Sequence, residues 1–272
     1  MEAKWRYYNH ALLPNTAPHE DVDVDALYSE LKRHKKALLA RWTSEFDCGY
    51  ETEWWWCIKD SEFEPEKLDA KKRYCITRGK REFDVYLINP TEHKEALYEV
   101  QVAAFSAYPE VYRPVIEKES FINSWDDWNE YKVFGAFLRG TGELCGYSLV
   151  KEYDRWANFS VQKTKPEYEK LQVNAALVAG ICEVYNEKFK EGFYIVDGER
   201  NISHETGFQG YLEKYFGFRK AYCRLNMVYR PFVKVMVKIL FPVRKILEKF
   251  EINQLMHAVN SIMHLEAIYR TF

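Results

Sequence analysis

The clearest pattern of apolar and polar positions lies between residues 133 and 150, in the letters VFGAFLRGTGELCGYSLV. Two apolar, β-rich runs stand on either side of Arg139-Gly140-Thr141-Gly142. Glycine adopts positive φ at little steric cost, and tight turns between antiparallel strands need such residues. The pattern therefore predicts a β-hairpin whose turn contains these two glycines.

The segment after the hairpin predicts a strand, a helix, a strand and a short helix in that order. The first strand covers Phe159 to Lys163, and the letters FYIVDG at 193–198 predict the second. Between them, apolar residues recur at helical spacing at Val173, Leu177, Ile181, Val184 and Tyr185. The short helix breaks at Gly217, and a last strand follows to Tyr229.

The part before residue 133 predicts mixed elements. The first 20 residues, with Pro14 and Pro18, predict an irregular arm. From Asp23 a helix is predicted, with one face formed by Leu27, Leu31, Ala37, Leu38 and Trp42. A buried strand is predicted for EWWWCIKD, and its three tryptophans cannot share one face. A second strand, stopped by Pro90, is predicted for DVYLINP. An amphipathic helix is predicted for EHKEALYEVQVAAFSAY.

The segment 231–272 has large apolar residues on most turns and no glycine, which predicts a helical tail. Residues 230 to 249 contain one acidic residue, Glu248, and six basic residues: Arg230, Lys234, Lys238, Arg244, Lys245 and Lys249. Such a helix either packs its apolar face on the protein or on a second copy, or lies on an anionic membrane surface. Both interpretations stay open from the sequence.

Composition restricts the function classes. The 272 residues carry a net charge of -2, which gives no overall attraction to nucleic acid or anionic surfaces. No C-x-x-C pair occurs among the six cysteines, which indicates reduced core thiols: Cys48, Cys57, Cys75, Cys145, Cys182 and Cys223. No spacing of His, Cys or Asp matches a metal site. With neither an apolar signal core nor a run of about 18 apolar residues, we expect a cytoplasmic protein, with peripheral contact at the inner membrane face as an option.

The order of these elements resembles the GNAT acyltransferase superfamily. The matching letters are Pro166-Glu167-Tyr168, Ala176-Leu177 and the closing run EKYFGFR at 213–219. The resemblance implies an α/β (α+β) fold with a centrally splayed mixed sheet flanked by helices. It also implies an N-terminal extension at 1–82, a GNAT-like domain at 83–230 and a tail at 231–272. Leu68 to Tyr74 followed by Phe83 to Ile88 is similar to the FemAB-like branch.

The resemblance implies acetyl-CoA or another acyl-CoA as cofactor. The pantetheine arm would pair with the strand at Phe159, and the pyrophosphate would meet the N-terminus of the next helix. Where the family favours glycines, this chain has Gln172 and Asn174, and nearby lysines would compensate. The predicted cofactor residues are Phe159, Ser160, Val161, Gln162, Lys163, Lys165, Lys170, Gln172, Val173, Asn174 and Asn201.

Acyl transfer to an amine needs a base for the attacking nitrogen and an acid for the leaving thiolate. Asp197 and Glu199 follow the predicted strand FYIVDG and are candidate bases, although they also suit a turn beside Gly198. Tyr211 is the candidate acid, by resemblance to the family tyrosine, with a core aromatic as the other interpretation. His204 could shuttle protons or cap the helix start.

Three functions remain open. The first is an N-acyltransferase that moves an acyl group from acyl-CoA to the amine of a small molecule or peptide. The second is a FemAB-like aminoacyl transferase, with Lys32 to Lys36 and Lys71 to Arg81 contacting tRNA phosphates; nucleic acid is a partner only in this case. The third is a catalytically silent module that binds through the tryptophans and the tail. A homodimer through the tail is compatible with each.

Overall fold

The computed structural model describes residues 4–108, 113–201, 207–249 and 254–272. The strands are β1 Trp5–Tyr8, β2 Ala11–Pro14, β3 Leu39–Ser44, β4 Trp55–Lys59, β5 Phe83–Ile88, β6 Tyr131–Leu138, β7 Leu144–Glu152, β8 Trp156–Thr164, β9 Tyr194–Glu199, β10 Arg219–Tyr222 and β11 Arg224–Tyr229. The helices are α1 Leu27–Arg33, α2 Ala70–Glu82, α3 Lys94–Ser106, α4 Lys118–Asn123, α5 Val173–Lys190, α6 Phe208–Phe216, α7 Pro231–Leu240, α8 Arg244–Leu247 and α9 Gln254–Tyr269.

The chain divides into two units. A larger unit contains Cys57–Gly198 and Gly207–Arg219, and a smaller unit contains the described residues of Met1–Trp56, Glu199–Thr206 and Lys220–Phe272. The predicted domain limits at residues 82 and 230 stay predictions.

The larger sheet has seven strands in the order β10, β4, β9, β8, β7, β6, β5. Strands β5 to β8 pair antiparallel with their neighbours, and β8 pairs parallel with β9. The turn between β6 and β7 contains Gly140 at φ 89° and Gly142 at φ 71°. The predicted hairpin and the predicted mixed sheet are therefore confirmed.

Helix α5 forms the core of the larger unit with the sheet. Val173, Leu177, Ile181 and Tyr185 are all buried, as their spacing predicts, whereas Val184 is half exposed and lies off this face. Two glycines allow close packing around the helix. A Cβ added at Gly180 would lie 2.6 Å from Val85, and one added at Gly79 of α2 would lie 2.6 Å from the Gln172 carbonyl. Any side chain at these positions would separate α5 from its neighbours.

The elements predicted between residues 53 and 108 are confirmed as β4, β5 and α3. The chain after β5 turns at Pro90, as its fixed φ favours. Trp54 is fully buried, while Trp55 and Trp56 are only partly buried. The three tryptophans thus do not share one environment.

The prediction of an irregular arm at the N-terminus is wrong. Strands β1 and β2 form an antiparallel hairpin, and its turn residues Asn9 and His10 have φ of 43° and 64°. Trp5 and Leu12 are buried in a core of the smaller unit. Each strand has only four residues, and the hairpin forms because the two strands pair and these side chains are buried.

The predicted long helix from Asp23 is also wrong in its second half. Helix α1 ends at Arg33, and Leu39–Ser44 forms β3, which pairs antiparallel with β11 in a four-stranded sheet of order β1, β2, β3, β11. Arg230 accounts for the end of the helix, because its guanidinium donates to the carbonyls of Leu31, His34 and Ala37. Of these carbonyls, that of Leu31 lies in the last turn of α1, where a helix leaves carbonyl groups without an intrahelical partner.

The tail of the smaller unit is helical, as predicted, and contains α7, α8 and α9. Val233 and Val237 of α7 are buried against Met263 of α9. Tyr229 at the end of β11 donates a hydrogen bond of 2.9 Å to Glu266. Within the described ranges, none of the helices has both the length and the apolar content needed to cross a membrane.

Candidate functional site

The centre of the larger sheet opens where β8 leaves β9. Their register contains three pairs, from Trp156 with Tyr194 to Asn158 with Val196. Beyond Asn158, strand β8 continues in register with β7 alone. The β7–β8 register pairs Val150 with Phe159 and then Leu149 with Val161, so Ser160 is an extra residue in β8.

A β-bulge bends its strand and increases the local twist, which explains why β8 diverges from β9 at this point. The bulge also changes which side chains share a face. We call the opening beside residues 159–164 of β8 and Asp197 of β9 the β8–β9 cleft. It leaves one edge of β8 free to accept an added strand, as the resemblance implies.

The N-terminus of α5 lies next to this edge of β8. Gln172 precedes the helix with φ 68° and ψ 38°, the left-handed conformation that glycine favours. The Asn174 side-chain oxygen accepts hydrogen bonds from Gln162 at 2.7 Å and Thr164 at 3.4 Å. Ser148 of β7 donates to Gln162 at 3.1 Å. The expected glycine conformation is therefore present, but side chains occupy the space that glycines would leave open.

The three predicted lysines differ in their surroundings. Lys163 lies on the opposite face of β8 from Gln162, with its Nζ 4.1 Å from the ring centroid of Phe105. Burial lowers the pKa of Lys163. Burial also acts to lower the pKa of Lys165, but its 2.7 Å hydrogen bond to Glu143 outweighs this and raises that pKa. Lys170 is exposed. Their predicted role in binding a phosphate stays a prediction.

Asp197 is the most distinctive titratable group of the cleft. It follows the last residue of β9 that pairs with β8, and it is only partly exposed. Burial raises the pKa of the Asp197 carboxyl from 3.8 to about 7, against the opposing effect of a hydrogen bond from Gln209. A carboxyl with a pKa near neutrality exchanges protons readily at physiological pH. The side chain therefore has the property required of a general base.

Helix α6, which carries Tyr211, begins next to Asp197 of β9. Gln209 donates to the Asp197 carbonyl at 3.5 Å, and Phe208 lies 5.8 Å from Phe159 in an edge-to-face contact. The Tyr211 ring lies 5.1 Å from that of Tyr215. Burial raises the pKa of Tyr211, which keeps its phenol protonated. The proton-donor role of Tyr211 stays a prediction.

Three other predicted site residues follow Asp197 along the chain: Glu199 and His204, predicted to be catalytic, and Asn201, predicted to bind the cofactor. Glu199 belongs to the smaller unit and forms an ion pair with Arg41 of β3. Asn201 is exposed after the end of β9. His204 lies outside the described residues. The role of each stays a prediction.

Sequence reasoning did not identify Ser148, Glu143, Phe208 and Gln209 as residues of the cleft region. Ser148 and Glu143 lie on or before β7 and act through hydrogen bonds to Gln162 and Lys165, which no local pattern reveals. Phe208 and Gln209 begin α6, and only their position after β9 in the family order could have indicated them. Among the residues that the structure describes, no cluster of three His, Cys, Asp or Glu side chains could hold a metal.

The smaller unit has a basic cavity of its own. It measures about 310 Å³ and is lined by Tyr7, Arg33, His34, Lys35 and Lys36. The corresponding basic cluster on α2 in the larger unit is mostly paired with acceptors. Lys80 pairs with Glu183, and Lys72 pairs with Asp69. In the Lys32 to Lys36 cluster, Arg33 and His34 lie against Glu30, whereas Lys32, Lys35 and Lys36 are exposed and are the better candidates for an anionic partner.

Comparison with known proteins identifies the fold. No protein-family model matches the chain, and no curated protein matches its sequence. Among solved structures, FemX is similar with a TM-score of 0.53 and 8% identity over 87% of this chain and 85% of FemX. L-PGS from Bacillus licheniformis is similar with a TM-score of 0.51 and 11% identity, over 88% of this chain and 84% of L-PGS.

A third similar structure is the C-terminal domain of a putative lysylphosphatidylglycerol synthetase from Agrobacterium fabrum. Its TM-score is 0.51 at 10% identity, over 86% of this chain and 82% of that one. At such identities the likeness shows the fold alone. The fold is of the GNAT type, as predicted.

Proposed function

We propose that this chain is a GNAT-fold transferase that moves an acyl group from an activated carrier to an amine. The observation that carries the proposal is the position of Asp197, a carboxyl with a pKa of about 7, at the cleft where β8 diverges from β9. A splayed sheet edge supplies a binding surface for the carrier, and a near-neutral carboxyl supplies the base.

The carrier arm would bind along the free edge of β8. Residues 159–164 pair with β7 on one side, and their other side faces the cleft. Amides of a pantetheine arm would form strand-like hydrogen bonds to this backbone. The thioester end of acetyl-CoA or a longer acyl-CoA would then lie beside Asp197.

In this arrangement the amine nitrogen attacks the thioester carbonyl carbon, and the carbon–sulfur bond breaks. Asp197 accepts the proton that the nitrogen loses, directly or through water. Tyr211, held protonated by burial, donates a proton to the departing thiolate. The residues of the chain thus supply both proton transfers.

Donor binding can be tested by the melting temperature of the chain with acetyl-CoA, free CoA and longer acyl-CoAs. A ligand that binds only the folded state raises the melting temperature by mass action. We expect stabilisation by acyl-CoA, and a larger one in the Asn174→Gly variant, because that change clears the approach to the N-terminus of α5. No shift with any CoA compound, in either form, contradicts the acyl-CoA donor.

A second candidate is an aminoacyl transferase that takes its acyl group from tRNA. Two observations favour it. Gln162 and Asn174 are hydrogen-bonded to each other beside the N-terminus of α5, where a pyrophosphate would have to approach, and the smaller unit has a basic cavity that phosphates would suit. One of the similar structures is named as the C-terminal domain of a putative lysylphosphatidylglycerol synthetase.

Filter binding of aminoacyl-tRNA to the wild-type chain and to Lys35→Glu/Lys36→Glu tests this candidate. We expect tRNA binding that falls as salt rises and that the double substitution weakens. A matched loss of charge in Lys94→Glu/Arg155→Glu should have a smaller effect. Equal loss in both variants, or no binding by the wild-type chain, contradicts the tRNA donor.

A further inference from the structure

Helix α7 leaves an apolar face uncovered. Phe232, Val235, Met236 and Ile239 are each about half exposed or more, with Ile239 at 66%. Their spacing of three and four residues places them along one side of the helix. We call this side the α7 outer face. Val243, in the turn between α7 and α8, and Ile246 of α8 are also exposed.

This face is distinct from the one that packs on the protein. Val233 and Val237 are buried with Met263, so the helix already covers its inner apolar face. Of the eleven large apolar residues other than tyrosine that are exposed in the described chain, six lie between 232 and 246. Such a concentration marks a contact surface rather than scattered exposure.

Lysines alternate along the sequence with the apolar residues of the α7 outer face and of α8. Lys234 and Lys238 lie one turn apart on α7, and Lys245 and Lys249 repeat that spacing further along. All four are exposed, and none of them pairs with a carboxylate within the described ranges. Between 231 and 249 the one acidic residue is Glu248, against five basic ones. The segment is therefore strongly positive in a chain whose net charge is -2.

We propose that the α7 outer face docks the protein on an anionic membrane surface. The apolar side chains would enter the boundary between head groups and acyl chains, while the lysine stems would extend to the lipid phosphates. Anionic lipid complements the charge of the segment. This inference rests on the tail alone and is independent of the proposed transferase activity.

A second copy of the chain fits the face less well. In a two-fold dimer the same patch meets itself, so Lys234 and Lys238 of one copy would approach their own equivalents. The single Glu248 could not neutralise this concentration of positive charge. An anionic bilayer buries the same apolar side chains without bringing like charges together.

The test is cosedimentation of the full chain with vesicles of phosphatidylcholine, with and without phosphatidylglycerol. We expect binding that requires phosphatidylglycerol and weakens at high salt. Val235→Glu/Ile239→Glu should abolish it, whereas Val115→Glu, at a site that is 89% exposed, should not. Lys234→Glu/Lys238→Glu should weaken binding about 30-fold or more, since each lysine near an anionic surface contributes about fivefold.

Circular dichroism spectra of the variants verify that they fold. The control for charge is Lys71→Glu/Arg155→Glu, which removes two exposed basic residues elsewhere and should bind like the wild-type chain. Three results would overturn the proposal: no vesicle binding, equal loss in both lysine and control variants, or a dimer without lipid that Val235→Glu/Ile239→Glu converts to monomers. The last result would assign the face to a second copy.

Discussion

Replacing Asp197 by asparagine should stabilise the protein at neutral and alkaline pH. The substitution keeps the shape of the side chain and removes a carboxyl that ionises in a buried place. An Asp whose pKa is raised by folding binds its proton more tightly in the folded state. Its ionisation therefore costs stability as pH rises from 3.8 through about 7, and the cost is complete above that pH.

The magnitude follows from the pKa of Asp197, which is 3.8 for an ordinary Asp side chain and about 7 here. At about 1.4 kcal/mol for each pH unit, the full cost at pH 8 is about 4 kcal/mol, and at pH 5 it is less than half of that. Because Asp197 keeps some contact with solvent, we expect about 2 kcal/mol at pH 8 and under about 1 kcal/mol at pH 5.

The assay is urea unfolding of the wild-type chain, Asp197→Asn and the exposed control Asp154→Asn, each at both pH values. Asp197→Asn should gain stability that grows with pH, and Asp154→Asn should stay within about 0.5 kcal/mol of wild type at both. The same change should lower transfer activity by roughly a hundredfold or more, because the base is lost. An Asp197→Asn variant whose stability relative to wild type does not change with pH would refute the burial argument.

Three further predictions concern packing, an ion pair and the anchoring arginine. Gly79→Ala should destabilise the protein by about 1–3 kcal/mol, because the added Cβ would meet backbone atoms at the start of α5. Gly210→Ala, with open space around it, should stabilise the protein by about 0.5–1 kcal/mol. Thermal unfolding measures both, and a Gly79→Ala variant as stable as wild type would contradict the close contact. Burial opposes ionisation of Glu152, but hydrogen bonds from Lys132 and Lys188 lower its pKa to about 2. Glu152→Gln should therefore lower the free energy of unfolding by about 2–3 kcal/mol at pH 7, and by progressively less as pH falls from about 4.5 towards 2. Exposed Glu167→Gln is the control, and an equal loss for Glu152→Gln at every pH would argue against the pair. Arg230→Lys should lower the melting temperature by several degrees, because a lysine ammonium lacks the planar set of donors with which the guanidinium reaches three carbonyls. An unchanged melting temperature would show that these hydrogen bonds contribute little.

The sequence predicted the elements that local patterns determine. The hairpin of β6 and β7 follows from two glycines in its turn, and α5 follows from the helical spacing of Val173, Leu177 and Ile181. Strand β3 could not be predicted in this way, because Leu39 pairs with Tyr229, a partner far along the chain. Its letters fit a helix equally well, so the distant partner decides.

The candidate site shows the same division. The position of Asp197 after a buried strand was readable from FYIVDG, whereas its pKa depends on burial that only the folded chain provides. The bulge at Ser160 leaves no local signal, although it determines where β8 and β9 separate. The bonds of Asn174 to Gln162 and Thr164 likewise require the helix and the strand in place.

The most direct test of the transferase proposal is amide hydrogen exchange of residues 159–164 with and without donor. The chain would be measured alone, with acetyl-CoA or a longer acyl-CoA, and with aminoacyl-tRNA. One class of donor should slow exchange at amides of β8 that face the cleft, since a carrier arm bound as an added strand covers them. If neither class protects these amides at saturating concentration, the cleft between β8 and β9 does not bind a donor.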